Sequence, residues 1–504
     1  MHRICFTVVV TAVFFVFTSG ARTADPVDSY ASRDRAVWSA SQVIGSPDPP
    51  AEYLTQIAFP GLKFDEPLAF AVVPDFDRIG IAERYGKLFT FPNELATADK
   101  TLLLDLKRTV MGLAFHPNFA SNGKFYVTSL PDPGTPTDKG SRVSEFRVSD
   151  RSAMTADIGS ERILIEWPNG GHNGGCIRFG PDGYLYLATG DGSGIADQRQ
   201  TGQDLSDLLG AILRLNVDHQ STGKQYAIPD GNPFVTVANA RPEIWSYGHR
   251  QVWKFSWDTA NGTMWAGEVG QDLWEMVYII ERGGNYGWSV REGRHPFRPD
   301  RPRGPTAFIE PIVEHPHHDF RSITGGFVYH GTRLPELRDH YIYGDYDTGK
   351  LWALKWDAKQ QAVTANFELC DVQLRAVEFG QTDDGELFIV DFAGGQLHEL
   401  TGAPPVKEEQ PPFPRKLSET GLFASTARHT PADGVIPYDV IAPLWSDHAH
   451  KDRFLAVPDA SQIEFDAVTY PQPAPGSRPS WRFPDGTVLV KTFSLDMETG
   501  NPAS

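Results

Sequence analysis

One local pattern recurs through most of the chain. A short apolar segment leads into a tight turn of Pro, Asp, Asn or Gly, and a segment rich in aromatic residues follows. The pattern is clearest at 176–188, where CIRF is followed by GPDG and YLYLA, and at 377–390. These turn residues accept the tight or left-handed backbone of hairpins, and the alternating flanks are typical of half-buried strands. The pattern therefore predicts many short antiparallel strands and argues against a helical bundle.

The chain contains six such units. Besides the two named above, two clear units cover 111–127 and 253–265, and two looser ones cover 68–82 and 326–354. The spacing is wider than the repeats of about 40 residues in common propellers, because long loops join some of the strands. We therefore predict an all-β fold, with a six-bladed β-propeller over residues 53–402. A pair of β-sandwiches is the alternative.

Composition marks the ends of this predicted propeller. A polar lead, residues 25–52, precedes it, and residues 403–416 read APPVKEEQPPFPRK. Such a Pro-rich, charged stretch is typical of a linker. Residues 417–504 are again strand-like, with a PDG turn at 484–486. This last segment is predicted to be a second β domain that is incomplete and truncated.

The first 24 residues have the features of a signal peptide. His2 and Arg3 precede a mostly apolar run over 4–17, and the small residues of 19–21 follow. The run is short for a bilayer span, although an uncleaved anchor is the alternative. No second long apolar stretch follows, so we expect a periplasmic or secreted protein without a transmembrane segment after cleavage.

Net charge and cysteine content further limit the class of protein to which the chain can belong. The net charge is −18, and Lys and Arg do not cluster, which weighs against a nucleic-acid-binding surface. Beyond the predicted signal, Cys176 and Cys370 lie far apart and form no CxxC or haem-attachment motif. They are read either as buried free thiols or, since export permits it, as a disulfide.

The richest loop is NGGHNGG at 169–175, in which His172 is the one residue other than Asn or Gly. Such a loop lets the backbone approach a ligand closely, and a histidine there is a candidate general base. The other interpretation is a turn histidine that bonds its own backbone. Asp191, in a tight turn after Thr189 and Gly190, either orients a partner or caps that turn.

Three further stretches could bind ligands. Arg250, in YGHRQ, suits a carboxylate or phosphate. The stretch 268–275 and the GGNYGW of 283–288 offer the carboxylate and carbonyl oxygens that Ca²⁺ prefers, or form a solvated acidic loop. The HPHH of 315–318 is either a metal site or a polar surface loop.

Taken together, these motifs resemble a known family. The strings HNGG, CIRFGPDGYLYLATGD, LLGAILRLNVD, SYGHR, GEVGQ, GGNYGW, ITGGFVYHG and DGELFIVD are similar to the soluble glucose/sorbosone dehydrogenase family, over residues 55–402. That family consists of six-bladed propellers, several of which use pyrroloquinoline quinone (PQQ) with Ca²⁺. GEVGQ, GGNYGW and GGFVYHG are most similar to the subgroup of hedgehog-interacting-protein-like propellers.

The resemblance implies a role for individual residues. His172 matches the base that takes the sugar hydroxyl proton, Arg250 matches a quinone-binding arginine, and Arg375 falls near another. Gln251 stands where the family has Asn, and Gly171 precedes the base where some members have Asp. The remaining positions are Lys107 and Arg108, in place of a quinone-contacting glutamine, and Gly270, Glu275 and Tyr286, in the calcium-binding stretch.

The resemblance thus implies a periplasmic, PQQ-dependent oxidoreductase that oxidises a sugar or a related polyol or aldose, with PQQ and Ca²⁺ as cofactors. The segment from residue 413 resembles a domain found beside c-type cytochrome modules, so a c-type cytochrome is a candidate electron acceptor. The alternative is a non-catalytic, Ca²⁺-stabilised propeller that binds carbohydrate or protein. A propeller lactonase is a weaker alternative, because the sequence offers no clear set of four metal ligands.

Overall fold

The computed structural model describes residues 35–43, 51–130, 140–404, 413–446, 449–465 and 481–495. The predicted signal peptide and most of the predicted linker lie outside these residues. Contacts divide the chain into two units, one of Ala51–Pro405 and one of Met1–Pro50 with Val406–Ser504. Among the described residues, no helix has the length and apolar character that a membrane span requires.

The first unit contains six antiparallel sheets of four main strands each, which we number in chain order, and sheet 2 has a short fifth strand. Within each sheet, strands that follow one another along the chain lie side by side. The strands are Pro67–Val73, Arg78–Glu83, Lys87–Pro92 and Thr101–Asp105 in sheet 1; Val110–Phe115, Lys124–Ser129, Ser141–Asp150 and Arg162–Trp167 in sheet 2; Ile177–Phe179, Leu185–Ala188, Ala211–Leu215 and Ile244–Tyr247 in sheet 3; Val252–Trp257, Met264–Glu268, Trp274–Ile280 and Val313–Pro316 in sheet 4; Ile323–Val328, Tyr341–Asp345, Lys350–Asp357 and Ala362–Asp371 in sheet 5; and Ala376–Gln381, Leu387–Asp391, Gln396–Gly402 and Tyr53–Ile57 in sheet 6.

Helices and other strands are short. Phe119–Asn122 forms one α-helical turn, and Ile158–Ser160, Pro335–Leu337 and Leu417–Glu419 are 3₁₀ turns. Thr155–Ala156 pairs with the third strand of sheet 2, and Arg291–Glu292 pairs with His295–Pro296. The all-β class predicted from the sequence is confirmed.

The predicted hairpin turns form as their residues require. In the turn between the first two strands of sheet 3, Gly183 has a φ of 78°, a left-handed conformation that glycine adopts without strain. Its amide donates to the carbonyl of Gly180, and Asp182 accepts from the amide of Tyr184 at 3.1 Å. The strand that follows, Leu185–Ala188, is fully buried. Local sequence therefore determines this hairpin.

Apolar clusters join the six sheets into a ring. Each pair of successive sheets encloses one cluster of buried side chains, and a further cluster joins sheet 6 back to sheet 1. Tyr53–Ile57, which precedes sheet 1, pairs with Gln396–Gly402 as the outer strand of sheet 6. The start and the end of the unit thus share one sheet, and the arrangement is propeller-like.

Two cavities lie on the axis of this ring. The upper cavity, about 340 Å³, lies where the first strands of the sheets begin and is lined by Arg84, Met111, Trp253 and Tyr346 among others. The lower cavity, about 490 Å³, lies where the same strands end. The two ends of the first strands therefore present separate openings.

The second unit has a small core of its own. Its strands are Phe423–Ser425 with Thr430–Pro431, Ile436–Pro437 with His450–Ala456 and Val488–Ser494, and Glu464–Phe465 with Trp481–Arg482. Trp38 is fully buried against Leu422 and Phe454, and its Nε1 donates to the carbonyl of Gly421 at 3.0 Å. Residues of the lead therefore complete this core, a contact that sequence patterning did not predict.

Candidate active site

The loop before sheet 3 holds His172 in one orientation. Its Nδ1 lies 2.7 Å from Oδ1 of Asp191, and since a carboxylate accepts, Nδ1 is the donor. The side chain is 16% exposed, and no described residue bonds its Nε2. The carboxylate thus selects the tautomer in which Nε2 is free to take a proton. Asp191 thus orients a partner as well as capping its own turn, and His172 does not merely bond its own backbone.

Asp191 is itself held from three sides. Its Oδ1 also accepts from the amide of Ser193 at 2.8 Å, and its Oδ2 accepts from Nε1 of Trp288 at 2.8 Å. The side chain has no solvent exposure. Trp288 is a site residue that sequence reasoning missed, although it ends the GGNYGW motif. A fully bonded carboxylate of this kind keeps the imidazole of His172 in place.

The glycines of the loop are required by close backbone packing. Gly174 has a φ of 63°, and a Cβ there would lie 2.1 Å from the carbonyl oxygen of Ala188. Its amide donates to Oε1 of Gln251 at 3.1 Å. Gln251 therefore ties the histidine loop to the stretch that carries Arg250.

Arg250 is buried beside the histidine loop, with 6% of the residue exposed. Its carbonyl accepts from the amide of Asp191 at 2.8 Å, which places the two stretches together. The guanidinium donates to the carbonyl of Val269 at 3.0 Å and makes two long contacts with Gln271, at 3.3 and 3.4 Å. Burial lowers the pKa of Arg250, while the carboxylates of Asp191 and other acids nearby raise it.

The other residues predicted to contact the quinone do not bond the residues around His172 and Arg250. Arg108 pairs with Glu161 at 2.8 Å. Arg375 pairs with Asp347 at 2.8 Å and also donates to the carbonyl oxygen of Tyr346. The Lys107 residue is exposed, and its amide contacts Asp105. Arg84, which the sequence did not single out, lines the upper cavity and pairs with Glu66 at 3.0 Å.

In the predicted calcium-binding stretch, other groups of the protein bond both oxygens of the Glu275 carboxylate. Oε1 of Glu275 accepts from the amide of Gly270 at 3.2 Å and lies 2.9 Å from Nε2 of His317, while Oε2 accepts from the amide of Ile323 at 2.8 Å. Burial raises the pKa of Glu275, and the bond to Glu275 raises the pKa of His317. A cation that bound Glu275 would therefore replace His317 or one of these amides as the partner of the carboxylate.

Tyr286 is also engaged elsewhere. Its hydroxyl donates to the carbonyl of Ile279 at 2.9 Å and accepts from the amide of Glu281 at 2.7 Å, and its ring stacks on His249. Within the described ranges, no three or more His, Cys, Asp or Glu side chains are placed to hold a metal ion.

The histidines of HPHH separate from one another. His315 is buried and bonds the hydroxyl of Tyr343 at 2.7 Å, and burial lowers its pKa to about 4. His317 contacts Glu275, and the side chain of His318 is 78% exposed. The polar-surface interpretation therefore holds for His318 but not for His315, which lies buried on the last strand of sheet 4, and within the described ranges these histidines do not form a metal site. Cys176 and Cys370 are both buried and free.

Known proteins share this architecture. A sequence profile for glucose/sorbosone dehydrogenase matches residues 64–399. The HIPL2 protein of Arabidopsis thaliana is 34% identical over 305 residues, which cover 49% of this chain and 44% of that protein. Aldose sugar dehydrogenase YliI of Escherichia coli is 30% identical over 239 residues, which cover 45% of this chain and 60% of that protein.

A solved structure agrees on the fold. The PQQ-bound form of aldose sugar dehydrogenase from Streptomyces coelicolor superposes with a TM-score of 0.54 and 22% identity, over 70% of this chain and 100% of that one. The matched regions span about half the length of the two sequence relatives. Because the family profile extends over more than half of the residues, this chain belongs to the glucose/sorbosone dehydrogenase family.

Proposed function

We propose that the first unit is a PQQ-dependent oxidoreductase that oxidises a hydroxyl of a sugar or a related polyol or aldose. One observation carries the proposal: His172 is oriented by the buried Asp191 at 2.7 Å with its Nε2 unbonded, and the same loop cluster holds Arg250. Alcohol oxidation with an anionic cofactor needs a base held in place and a cation that binds the cofactor. His172, fixed by the carboxylate of Asp191, and the buried Arg250 fit these two roles.

Arg250 fits the role of holding a quinone carboxylate. Its two contacts with Gln271 are long, so its guanidinium can exchange them for a stronger, charged acceptor. Gln251, held through its Oε1, would present its amide nitrogen to the same group. When bound, the quinone supplies the two-electron acceptor for the hydride of the carbinol carbon.

His172 performs the proton transfer in this proposal. Its Nε2 takes the proton of the substrate hydroxyl, and the carboxylate of Asp191 stabilises the imidazolium that results. Trp288 restrains Asp191 through Oδ2, so the imidazole does not turn away as it becomes charged. The upper cavity lies at the same end of the sheets as the loop of His172, since Gly175 of that loop lies beside Met111 of the cavity lining, although His172 and Arg250 themselves do not line it. We propose that the substrate reaches His172 through that cavity.

A non-catalytic, Ca²⁺-stabilised propeller that binds carbohydrate or protein is the second candidate. Arg108 and Arg375, two of the cations expected to meet a tricarboxylate, are already paired with Glu161 and Asp347. These two pairings favour a protein that has kept the architecture with fewer cofactor contacts.

The cellular setting belongs to the same proposal. The features of residues 1–24 support export to the periplasm or beyond, where a c-type cytochrome is a candidate acceptor for the electrons. Calcium enters the proposal as a stabilising ligand of the stretch around Glu275, and we derive no step of the reaction through it, because both oxygens of Glu275 are engaged by protein donors.

The test is reconstitution of the full chain with PQQ and Ca²⁺, read by the absorbance of the bound quinone and by dye reduction with a panel of aldoses. Wild type is compared with His172→Gln and with His318→Gln, whose side chain is exposed. We expect all three to bind PQQ and only His172→Gln to lose turnover, by about 10²–10⁴. Failure of wild type to bind PQQ, where a known quinoprotein reconstitutes, would favour the binding protein.

A further inference from the structure

The lower cavity has an aromatic wall and a basic floor. All six sheets contribute to its lining, which includes Phe115, Phe179, Trp257 and Phe327. Among the described residues that line it, Arg178 supplies the one Lys or Arg side chain. At about 490 Å³ the cavity is within the range of small-molecule sites, which combine mostly apolar walls with a few polar groups.

The floor of the cavity carries an unbalanced charge. Nη2 of Arg178 lies 2.9 Å from Oε1 of Glu378, and Nζ of Lys254 lies 2.7 Å from Oε2 of the same carboxylate. The side chains of Lys254 and Glu378 are each 4% exposed. Two cations therefore share one anion away from water, where an uncompensated charge is costly. One additional negative charge would balance the cluster.

Arg178 has donors left for such a charge. Nη2 donates to Glu378 and to the carbonyl of Phe379, but no residue in the described part of the chain accepts from Nη1 or Nε. The guanidinium lies over the ring of Phe327, 4.6 Å from its centroid, which fixes its plane. The side chain is 18% exposed and lines the cavity.

Other charged groups of the cavity limit what can enter. His330 is engaged by Asp258 at 2.7 Å and by Asp339 at 3.2 Å. Asp383 and Asp384 line the cavity as solvent-exposed residues. Solvent screens the repulsion between these two carboxylates and a ligand whose single negative charge is neutralised at the floor. A ligand with two negative charges would keep its second charge near Asp383 and Asp384.

We propose that the lower cavity binds a small monocarboxylate with an apolar or aromatic body. The carboxylate of the ligand accepts a hydrogen bond from Nη1 of Arg178, and its negative charge balances the Arg178–Glu378–Lys254 cluster. The apolar body of the ligand packs against the aromatic wall of the cavity. Nζ of Lys254 also donates to the carbonyl of Leu68, a residue that lines the upper cavity. The cluster therefore separates the two cavities, and the proposed site is independent of the oxidoreductase site.

Calorimetric titration of the full chain tests this proposal, with benzoate as the probe. Benzamide has the same shape without the charge, and terephthalate carries a second carboxylate. We expect benzoate to bind at least about tenfold more tightly than benzamide, because a charge-assisted hydrogen bond distinguishes them. We expect terephthalate to bind more weakly than benzoate, because its second carboxylate stays near Asp383 and Asp384, and tighter binding of terephthalate would overturn the preference for a single negative charge.

Arg178→Gln should weaken benzoate by about tenfold or more and leave benzamide within about twofold. The variant keeps Lys254 and Glu378 as a balanced pair, and Arg178→Met, which also removes the charge, replaces it if it does not fold. Arg162→Gln, which removes an arginine paired with Glu145 in sheet 2, is the matched control and should bind as wild type. His172→Gln should also leave benzoate binding unchanged. No benzoate binding by wild type, equal binding of benzamide, or full binding by the Arg178 variant overturns the proposal.

Discussion

Trp288 donates from Nε1 to Oδ2 of Asp191 at 2.8 Å, although the two residues are 97 positions apart in the chain. The bond connects a loop of sheet 3 with the GGNYGW segment, which lies between the third and fourth strands of sheet 4. Asp191 holds His172 through its other oxygen. The orientation of the proposed base therefore depends on two sheets and not on its own loop alone.

Asp191→Asn tests this relationship. An amide can no longer stabilise the imidazolium, and it can present its NH₂ to His172 and so reverse the tautomer. We expect kcat to fall by about 10²–10⁴ while PQQ affinity stays within severalfold of wild type. Steady-state dye reduction and quinone titration measure the two effects. Asp357→Asn, in an exposed turn of sheet 5, is the control. Unchanged turnover in Asp191→Asn would show that Asp191 does not orient the base.

Arg250→Ala should lower both cofactor affinity and stability. Its loss leaves the carbonyl of Val269 without this hydrogen bond and removes a buried cation from the neighbourhood of Asp191 and other acids. We expect the free energy of unfolding to fall by about 1–3 kcal/mol without any cofactor. Arg250→Lys should recover part of both losses. Urea unfolding and PQQ titration provide the readouts, with exposed Arg338→Ala as control. A loss of affinity without any loss of stability would mean that the acids do not depend on Arg250.

Glu275→Gln tests the calcium proposal. If Ca²⁺ binds this stretch, CaCl₂ raises the Tm of wild type, because a ligand of the native state adds RT ln(1 + [L]/Kd), about 2.7 kcal/mol at a hundredfold excess. We expect the variant to lose most of that rise. Its Tm should also fall without Ca²⁺, since it loses the charge that pairs with His317. Glu94→Gln, an exposed carboxylate, should behave as wild type. An equal rise in Glu275→Gln would locate the calcium elsewhere.

His116 should make the first unit less stable in mild acid. Its Nδ1 accepts from the amide of Asn118 at 2.9 Å, and its Nε2 lies 3.0 Å from Oδ1 of Asp218, an arrangement that requires the neutral ring. Burial lowers its pKa from the usual 6.5. As pH falls below about 6.5, the unfolded histidine takes up a proton that the folded one resists, so the free energy of unfolding falls.

Urea unfolding between about pH 5 and 7.5 measures this effect. His116→Gln should reduce the slope of stability against pH, while exposed His219→Gln should leave it unchanged. The same slope in His116→Gln as in wild type would contradict the assignment.

Trp38→Ala should destabilise the second unit. The indole is fully buried against Leu422 and Phe454, and its removal leaves a cavity and an unbonded carbonyl at Gly421. We expect a loss of about 3–5 kcal/mol in the unfolding of that unit. Differential scanning calorimetry should show the lower transition. Val37→Ala, at a half-exposed neighbour, should cost little. No change in Trp38→Ala would mean that the lead does not stabilise this unit.

Much of the fold could be predicted because its determinants are local. Turn residues such as Gly183, and the alternation of buried residues beside them, act within a few positions, so the hairpins can be recognised in the sequence. The site could be predicted in part: a loop of Gly and Asn around His172 indicates close backbone approach. The partners of Glu275 could not be predicted, because His317 and Ile323 reach it from later parts of the chain.

The sequence by itself determined the strand-and-turn character of the chain, since backbone conformation at Gly, Pro, Asn and Asp follows from sterics and short hydrogen bonds. Only the tertiary structure decided which charged side chains are available to bind a ligand. Arg250 and Arg178 each lie beside buried acids, but only the packing of separate sheets determines that Arg178 shares Glu378 with Lys254. The pairing of Tyr53–Ile57 with Gln396–Gly402 was decided in the same way. Strand pairing and charge balance over such separations depend on the whole ring, because the partners meet only after the intervening sheets have packed.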